Sequence, residues 1–309
     1  MHLRLRRFGC DSIAAPAVTE ALRNLRRPDG ANLAYGITRG ASPRPLLVLI
    51  HGLASNMTRW SEFIEQTTLA QTWDLMRVDL RGHAGSLWRG RIGMEIWCDD
   101  LVAILDAEGY DRAVVGGHCL GANLAVHFSH RHAQRMQGLV LIEPMPPVAQ
   151  AGIMRRVQLL APLLRLATSA VLMMNRLGIR RRRLEQLDLK QLDAETRVSM
   201  AARGNPDAMS QQYASPLLDL RSMPSAVYLQ DLLQVGRPLP PFAAIRPPVL
   251  ALTASGTGFT DPALVEQMLA AMPHLTLKRL DALHWIPTEQ PQAMRLAIEQ
   301  WCGTIAGQL

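Results

Sequence analysis

Short apolar segments that alternate with helix-compatible segments constrain the fold of this 309-residue sequence most strongly. Four such runs lie in the first half, at residues 46–50, 75–78, 113–115 and 139–142. Short runs without polar alternation are typical of strands that are buried on both faces. Between Met94 and Leu105 the apolar residues instead recur mostly three or four positions apart, which predicts one face of a helix. A similar helix is predicted for residues 120–130.

This alternation predicts an α/β fold with a mostly parallel central sheet and helices on both faces. The rhythm stops after residue 147, and helical patterning without a clear strand dominates from 148 to 241. It resumes with a strand at 249–253, a helix at 261–272, a strand at 275–280 and a helix at 291–305. We therefore expect a core formed by residues 1–147 and 242–309, interrupted by a helical cap at 148–241.

Composition and charge narrow the class of protein. Hydrophobic residues make up 48% of the chain and charged residues 19%, which is enough apolar material for a large core. Residues 150–245 contain 13 Lys and Arg against 7 Asp and Glu, so this segment holds six of the seven net positive charges. No nucleic-acid-binding motif accompanies them, and we expect no nucleic-acid partner. Residues 1–19 lack the apolar stretch of a signal peptide or spanning helix, which predicts a loose arm.

The cysteines are Cys10, Cys98, Cys119 and Cys302, and no two of them form a Cys-x-x-Cys pair. This spacing argues against a zinc site and against a disulfide framework. We therefore expect no metal, no cofactor and a reducing, cytoplasmic location.

One glycine-framed turn carries the strongest chemical signal. The segment Gly117-His118-Cys119-Leu120-Gly121 lies between a predicted strand and a predicted helix. A sharp turn there exposes the central side chain above the sheet edge, and glycines two residues before and after it remove side chains that would collide. The helix N-terminus that follows favours a thiolate, which predicts a lowered pKa for Cys119. The alternative is a small buried cysteine beside a structural turn.

From Asn32 onward, apart from the cap, the chain resembles the α/β-hydrolase family. His51-Gly52 is similar to the family's oxyanion loop, Gly117 to Gly121 to its nucleophile elbow, and residues 283–287 to its catalytic-histidine loop. Residues 79–83 resemble a structural turn of the same family. The departure is Cys119 at the elbow's centre, where most members have serine.

The resemblance implies roles for individual residues. Cys119 would be the nucleophile, His284 the base, and the backbone N–H groups of Leu53 and Leu120 the oxyanion hole. The other histidines have structural interpretations: His51 would organise its loop and His118 would fill the elbow.

The acid of the triad is left open by the sequence. In most relatives the acid follows the strand that here spans 249–253, but the first carboxylate after it is Asp261, which precedes Pro262 and is also suited to cap a helix. Glu143 directly follows the preceding strand, where some relatives carry their acid. We favour Glu143 over Asp261; the third possibility is no acid at all, because an ionised thiolate depends less on one.

Such a site predicts acyl chemistry through a thioester on Cys119. Water as acceptor makes the protein an esterase, thioesterase or lactonase, whereas another nucleophile makes it an acyltransferase or cyclase. A binding protein that has lost catalysis is the alternative from another class. The expected partner is a small acyl substrate, either free or carried by coenzyme A or by a carrier protein.

The expected cap has its own pattern. Residues 157–177 are rich in Leu, Ala, Val and Met, and Arg180 to Arg183 follow soon afterwards. We expect the cap to cover the site and to bind an apolar acyl chain. An apolar helix beside a basic cluster also predicts peripheral membrane contact, or a docking patch for phosphates and carboxylates. The alternative is a helix that packs on the core while its arginines are simply solvated.

Overall fold

We describe the fold from a computed structural model, in which residues 19–203, 208–256 and 258–307 are described. Cys10, and the loose arm predicted for residues 1–19 except Thr19, lie outside these residues.

Eight strands form one sheet in the described residues. They are β1 (Glu20–Arg26), β2 (Asn32–Thr38), β3 (Leu46–Ile50), β4 (Asp74–Val78), β5 (Ala113–His118), β6 (Met136–Ile142), β7 (Val249–Ala254) and β8 (Leu275–Leu280). Their order is β1-β2-β4-β3-β5-β6-β7-β8. β2 pairs antiparallel with β1 and β4, and all other pairs are parallel. The predicted mostly parallel sheet is confirmed.

Helices cover both faces of this sheet and fill the segment between β6 and β7. The α-helices of the described residues are α1 (Ser61–Gln66), α2 (Met94–Glu108), α3 (Leu120–Arg131), α4 (Gly152–Leu159), α5 (Ala161–Arg176), α6 (Leu189–Arg203), α7 (Ala208–Tyr213), α8 (Pro216–Ser222), α9 (Ser225–Val235), α10 (Pro262–Leu269), α11 (Ile286–Glu289) and α12 (Pro291–Ala306). Six of them, α4 to α9, lie in the segment at 148–241, which we call the inserted segment.

The central strands β3, β5, β6 and β7 are buried on both faces because both faces of the sheet are covered there. In β3, Leu46, Val48 and Ile50 join one apolar cluster, which also contains residues of α2 and α3. Leu47 and Leu49 join a second cluster, which contains residues of α1 and α12. This division follows from the two-residue period of a strand, and it explains why the run 46–50 shows no polar alternation.

The main difference from the sequence-based expectation is the edge hairpin. The sequence analysis predicts neither β1 nor β2. Most side chains of β1 are exposed. β1 pairs along its whole length with β2. Backbone pairing, rather than burial of β1 side chains, therefore defines this edge.

By length and hydropathy, none of the described helices qualifies alone to cross a membrane. Taken together, α4 and α5 reach the length and hydropathy of a membrane-spanning helix, but they are bent by 70° at their junction.

The turn from β5 into α3 leaves no room for side chains at its two glycines. A Cβ atom added to Gly117 would lie 2.4 Å from the carbonyl carbon of Gly121, and one added to Gly121 would lie 2.5 Å from the carbonyl oxygen of Ile50. Both neighbours are backbone atoms, which cannot rotate away. The elbow glycines are therefore required by close backbone packing.

We predict that Gly121→Ala destabilises the fold by about 1–3 kcal/mol because the added methyl group forces α3 away from β3. Gly303→Ala is the matched control, since this exposed glycine of α12 has no atom within 4 Å of the added Cβ. That change should instead stabilise the protein by roughly 0.5–1 kcal/mol. Urea unfolding monitored by circular dichroism measures both. Equal stability of Gly121→Ala and the parent would contradict the packing argument.

Candidate active site

Cys119 lies at the junction of β5 and α3, directly before the first residue of the helix. Its backbone has a φ of 55°, a conformation that non-glycine residues rarely adopt. The amide N–H of Cys119 donates to the carbonyl oxygen of Ile142 at 2.9 Å, which ties the turn to the end of β6. The side chain is 7% exposed and lies at the cavity described below. The sulfur therefore faces this cavity above the sheet.

His284 follows β8 and contacts Cys119 from the other side of this space. It is 3% exposed and forms a side-chain hydrogen bond with Cys119. Its Nδ1 atom lies 3.2 Å from Oε2 of Glu143. Because Nδ1 faces Glu143, the remaining ring nitrogen, Nε2, is the one available to Cys119. The three side chains thus form one hydrogen-bonded series.

Glu143 is held in place by the strand end on which it lies. It directly follows β6, has a φ of 48° and is 7% exposed. Its Oε1 atom accepts a hydrogen bond from the backbone N–H of Ala254, so the second oxygen, Oε2, points to His284. The carboxylate is therefore fixed by β7 while it orients the imidazole ring.

Asp261, the other candidate acid, does not join this series. Its Oδ1 atom accepts hydrogen bonds from the amides of Ala263 at 3.0 Å and Leu264 at 3.3 Å. Asp261 is thus the exposed N-cap of α10. This is the helix-capping role that the following proline also favours.

The pKa of His284 depends on burial and on its two partners, Cys119 and Glu143. Burial lowers the pKa of His284, but the hydrogen bonds and negative charges of Cys119 and Glu143 raise it, with the net result of a pKa of about 10. The folded protein therefore favours the imidazolium form at neutral pH. Such a cation stabilises a negative charge on the neighbouring sulfur.

The loop after β3 approaches the cysteine closely. A Cβ atom added to Gly52 would lie 3.3 Å from the Cβ of Cys119, so only glycine fits here without displacement. Leu53 follows it and lines the cavity. The amide of Leu120 is the first of α3 and has no acceptor within that helix. Of the two residues whose amides are expected to form an oxyanion hole, Leu120 directly follows Cys119 in the chain and Leu53 follows the glycine that approaches it.

His51 and His118 have the structural contacts expected of them. Nε2 of His51 accepts the N–H of Leu80 at 3.1 Å, which links the loop after β3 to the turn at 79–83. Nε2 of His118 lies 3.0 Å from the carbonyl oxygen of His284. Burial lowers the pKa of both imidazoles, which keeps them neutral.

The turn at 79–83 connects the core to the inserted segment. The Asp79 carboxylate accepts the amides of Met57 at 2.7 Å and Gly85 at 2.9 Å. Nε2 of His83 lies 2.8 Å from Oδ2 of Asp231 on α9, and both side chains are buried. The turn therefore links the core to the inserted segment and is not part of the series formed by Cys119, His284 and Glu143.

Met145 is a neighbour of the cysteine that sequence reasoning missed. Its Sδ atom lies 3.1 Å from Sγ of Cys119, and the residue is 2% exposed. Asn123 of α3 accepts the Met145 N–H at 2.9 Å and donates to its carbonyl oxygen at 3.0 Å. The thioether thus shields the sulfur from water. Only the position of Met145 two residues after Glu143 gave a hint of this contact.

A cavity of about 240 Å³ opens above Cys119 and His284. Most of its walls are apolar and come from the inserted segment; they include Ile153, Met154, Val157, Leu189, Leu192, Leu218, Leu232 and Val235. The loop after β3 and Met145 complete the wall near the sulfur. The cavity therefore suits an apolar group that presents one polar function to Cys119.

Polar groups lie at two places in this cavity. Nη1 of Arg59 contacts both oxygens of Asp193 on α6, at 2.5 and 2.7 Å, and Tyr213 donates to the same carboxylate. Elsewhere, burial raises the pKa of Asp219 to about 7, although the hydrogen bond from Tyr228 opposes the change. The Arg59 charge is thus balanced by a buried carboxylate that joins core and inserted segment.

In the parts of the chain that the structure describes, no group of three or more His, Cys, Asp or Glu side chains is arranged to hold a metal ion.

Comparison with known proteins places this geometry in a family context. The family model described as alpha/beta hydrolase fold matches residues 45–291. Among curated proteins, "Epoxide hydrolase 3" of Xenopus tropicalis is 29% identical over 128 residues, which are 40% of this chain and 34% of that protein. The matched stretch thus spans about a third of the relative's length.

Two solved structures show the same fold over nearly the whole chain. One is a hydrolase from Pseudomonas aeruginosa PA01, with a TM-score of 0.65 and 23% identity, covering 91% of this chain and 98% of that one. The other is a thermophilic esterase from Thermogutta terrifontis, with a TM-score of 0.66 and 20% identity, covering 93% and 99%. At these identities the likeness concerns the fold.

We predict that Glu143→Gln lowers the pKa of His284 below about 10, because it removes one of the two negative groups that raise it. An NMR titration of the His284 ring measures this shift directly. Asp261→Asn is the control and should leave the titration unchanged, since the described contacts of the Asp261 side chain are to amides of its own helix. A shift in the Asp261 variant without one in the Glu143 variant would reverse the assignment of the acid.

Proposed function

We propose that this chain, which belongs to the α/β-hydrolase fold family, hydrolyses an acyl ester, thioester or lactone through a thioester formed on Cys119. The observation that carries the proposal is the hydrogen-bonded series of Cys119, His284 and Glu143 at the base of an apolar cavity. A nucleophile, a base and an orienting acid in this order are the parts that acyl transfer requires.

In the first half of the reaction, the Cys119 thiolate attacks the carbonyl carbon of the substrate. The carbonyl electrons move to oxygen, and the amides of Leu53 and Leu120 stabilise the resulting oxyanion. When the tetrahedral intermediate collapses, the bond to the leaving group breaks and the leaving group takes the proton of the His284 imidazolium. The products are the free alcohol or thiol and an acyl thioester on Cys119.

In the second half, neutral His284 removes a proton from a water molecule as that water attacks the thioester. The second tetrahedral intermediate collapses with release of the carboxylic acid, and the thiolate–imidazolium pair is restored. Glu143 keeps Nδ1 of His284 protonated and oriented throughout, so that Nε2 handles every proton transfer. Glu143 stabilises the imidazolium without taking its proton.

The cavity suggests which acyl groups fit. Its volume of about 240 Å³ lies just below the common range of ligand pockets, roughly 300–1,000 Å³. Its apolar walls come mainly from the inserted segment, which would act as the cap of the site. We therefore propose a small or medium-sized apolar acyl group as the bound part of the substrate.

The proposal predicts a covalent acyl adduct on Cys119. Intact-protein mass spectrometry after mixing with a panel of acyl nitrophenyl esters and acyl thioesters should show one acyl group per chain, and peptide mapping should place it on Cys119. Cys119→Ala should lose the adduct and at least about a thousandfold in kcat/KM. Cys302→Ala is the matched control, because this buried thiol lies in α12 away from the cavity.

Two results would contradict the proposal. One is full turnover by a folded Cys119→Ala protein, which would exclude the thioester. The other is the lack of any adduct or turnover across the panel with the parent protein, which would favour a non-catalytic binding role for this fold.

The pH dependence of acylation provides a separate prediction. The thiolate–imidazolium pair loses its proton as the pH rises through the pKa of His284, so kcat/KM should stay high above pH 8 and fall near a pH of about 10. Glu143→Gln should move this alkaline fall to lower pH and reduce kcat at least about tenfold. A pH–rate profile for both proteins tests this. An alkaline limit that is identical in the two proteins would contradict the role of Glu143.

A further inference from the structure

Helix α5 has two apolar faces, although a helix on the surface of a soluble domain usually needs one. Its inner face packs on α9 and contains Leu164, Thr168, Val171 and Leu172, which are buried or half-buried. The second face lies on the other side of the helix. Its members follow the spacing of three and four residues and occupy an arc of roughly 120° on a helical wheel; they are Leu163, Leu166, Ala167, Ala170, Met173, Met174 and Leu177.

This second face is open to solvent. Leu163 is 64% exposed, Leu166 70%, Met173 52% and Leu177 69%. Further exposed apolar residues lie along the chain on either side of α5, namely Val148, Ile153, Leu159, Leu160 and Ile179. Single exposed leucines are common, but a cluster of this extent marks an interaction surface. We call this apolar second face, which ends at Leu177 just after α5, together with Leu159, Leu160 and Ile179, the outer face.

Positive charge surrounds the outer face. Residues 144–184 contain eight arginines and no Asp or Glu: Arg155, Arg156, Arg165, Arg176, Arg180, Arg181, Arg182 and Arg183. Within the described parts of the chain, none of the eight forms a salt bridge with a carboxylate. Arg181 instead donates to the backbone carbonyls of Leu220 and Met223. The others are exposed and available to an anionic partner.

We propose that the outer face docks on a membrane surface that contains anionic lipids, with α5 lying in the interface. An apolar arc bordered by arginines is the pattern of helices that insert among acyl chains while their cations contact lipid phosphates. A second copy of the chain is a poorer match. In a twofold-symmetric dimer the same surface would meet itself, which would bring two sets of unpaired arginines together.

The docking surface is adjacent to the cavity through α4. Ile153 of this helix is 52% exposed and also lines the cavity, and Met154 and Val157 line it from the same helix. One thin wall therefore separates the proposed lipid-facing side from the space above Cys119. This position indicates the kind of substrate, an inference that rests on the proposed function. The substrate is an amphiphilic acyl ester that enters the cavity directly from the membrane.

The test is sedimentation of the full chain with vesicles of phosphatidylcholine alone or of equimolar phosphatidylcholine and phosphatidylserine. The protein should bind the anionic vesicles, and binding should weaken as salt is added because charge contributes to it. Replacing Arg180, Arg182 and Arg183 with Gln should reduce binding at least about tenfold. Arg181 is left unchanged because it holds the inserted segment together.

Matched controls separate the docking surface from general effects of charge and polarity. Replacing the exposed Arg26, Arg112 and Arg246 with Gln removes the same charge elsewhere and should leave binding nearly unchanged. Leu166→Glu should abolish insertion, whereas Leu296→Glu changes a similarly exposed leucine of α12 and should have no effect. Circular dichroism verifies that each variant is folded.

Turnover distinguishes this inference from the proposed function. Leu166→Glu should slow hydrolysis of an ester embedded in anionic vesicles at least about tenfold and leave hydrolysis of a soluble short-chain ester unchanged. If the parent protein binds the anionic vesicles but hydrolyses neither ester, only the proposed function is overturned. If the parent protein hydrolyses the soluble ester but does not bind the anionic vesicles, the docking proposal is overturned. A change from dimer to monomer on Leu166→Glu, seen by analytical ultracentrifugation with no vesicle binding in either protein, would show that the outer face joins two copies.

Discussion

The close approach of α3 to the end of β3 is the constraint on which the site depends. The backbone at Gly121 lies so near the carbonyl oxygens of Ile50 and His51 that a single methyl group does not fit between them. Cys119, two residues earlier in the same turn, has the unusual φ of 55°, and its side chain lines the cavity. Packing of the core thereby holds a strained residue in the position that the proposed nucleophile needs.

Burial and charge then act together on that sulfur. Met145 and the inserted segment limit the access of water, which strengthens every electrostatic interaction inside the cavity. Interactions with Cys119 and Glu143 outweigh the effect of burial and raise the pKa of His284 to about 10, and the amide of Ala254 anchors Glu143. A carboxylate fixed by one strand can orient an imidazole without reorganising during the reaction. The same inserted segment that closes the cavity presents its opposite side, the outer face, to solvent.

Much of the fold could be predicted because buried parallel strands leave continuous apolar runs, and β3 has the bounds that its run predicts. β8 also has its predicted bounds, although its residues are half-buried or exposed and include Lys278 and Arg279. β1 could not be predicted, since its side chains are exposed and only pairing with β2 defines it. In the site, the glycine-framed turn indicated Cys119, and the end of the next strand indicated Glu143, because carboxyl ends of parallel strands share one edge. The contact with Met145 and the outward direction of half the apolar residues of α5 depend on packing between distant segments. Local patterns do not contain that information.

The reactivity of Cys119 relative to the other thiols is the most direct test of the account. Burial raises the pKa of Cys98 and of Cys302 to about 12, so both should resist alkylation. Iodoacetamide at mildly acidic pH, followed by peptide mapping and activity assay, should label Cys119 first and remove turnover in proportion. Turnover that persists with Cys119 fully labelled, or inactivation that follows labelling of Cys98 or Cys302, would contradict it.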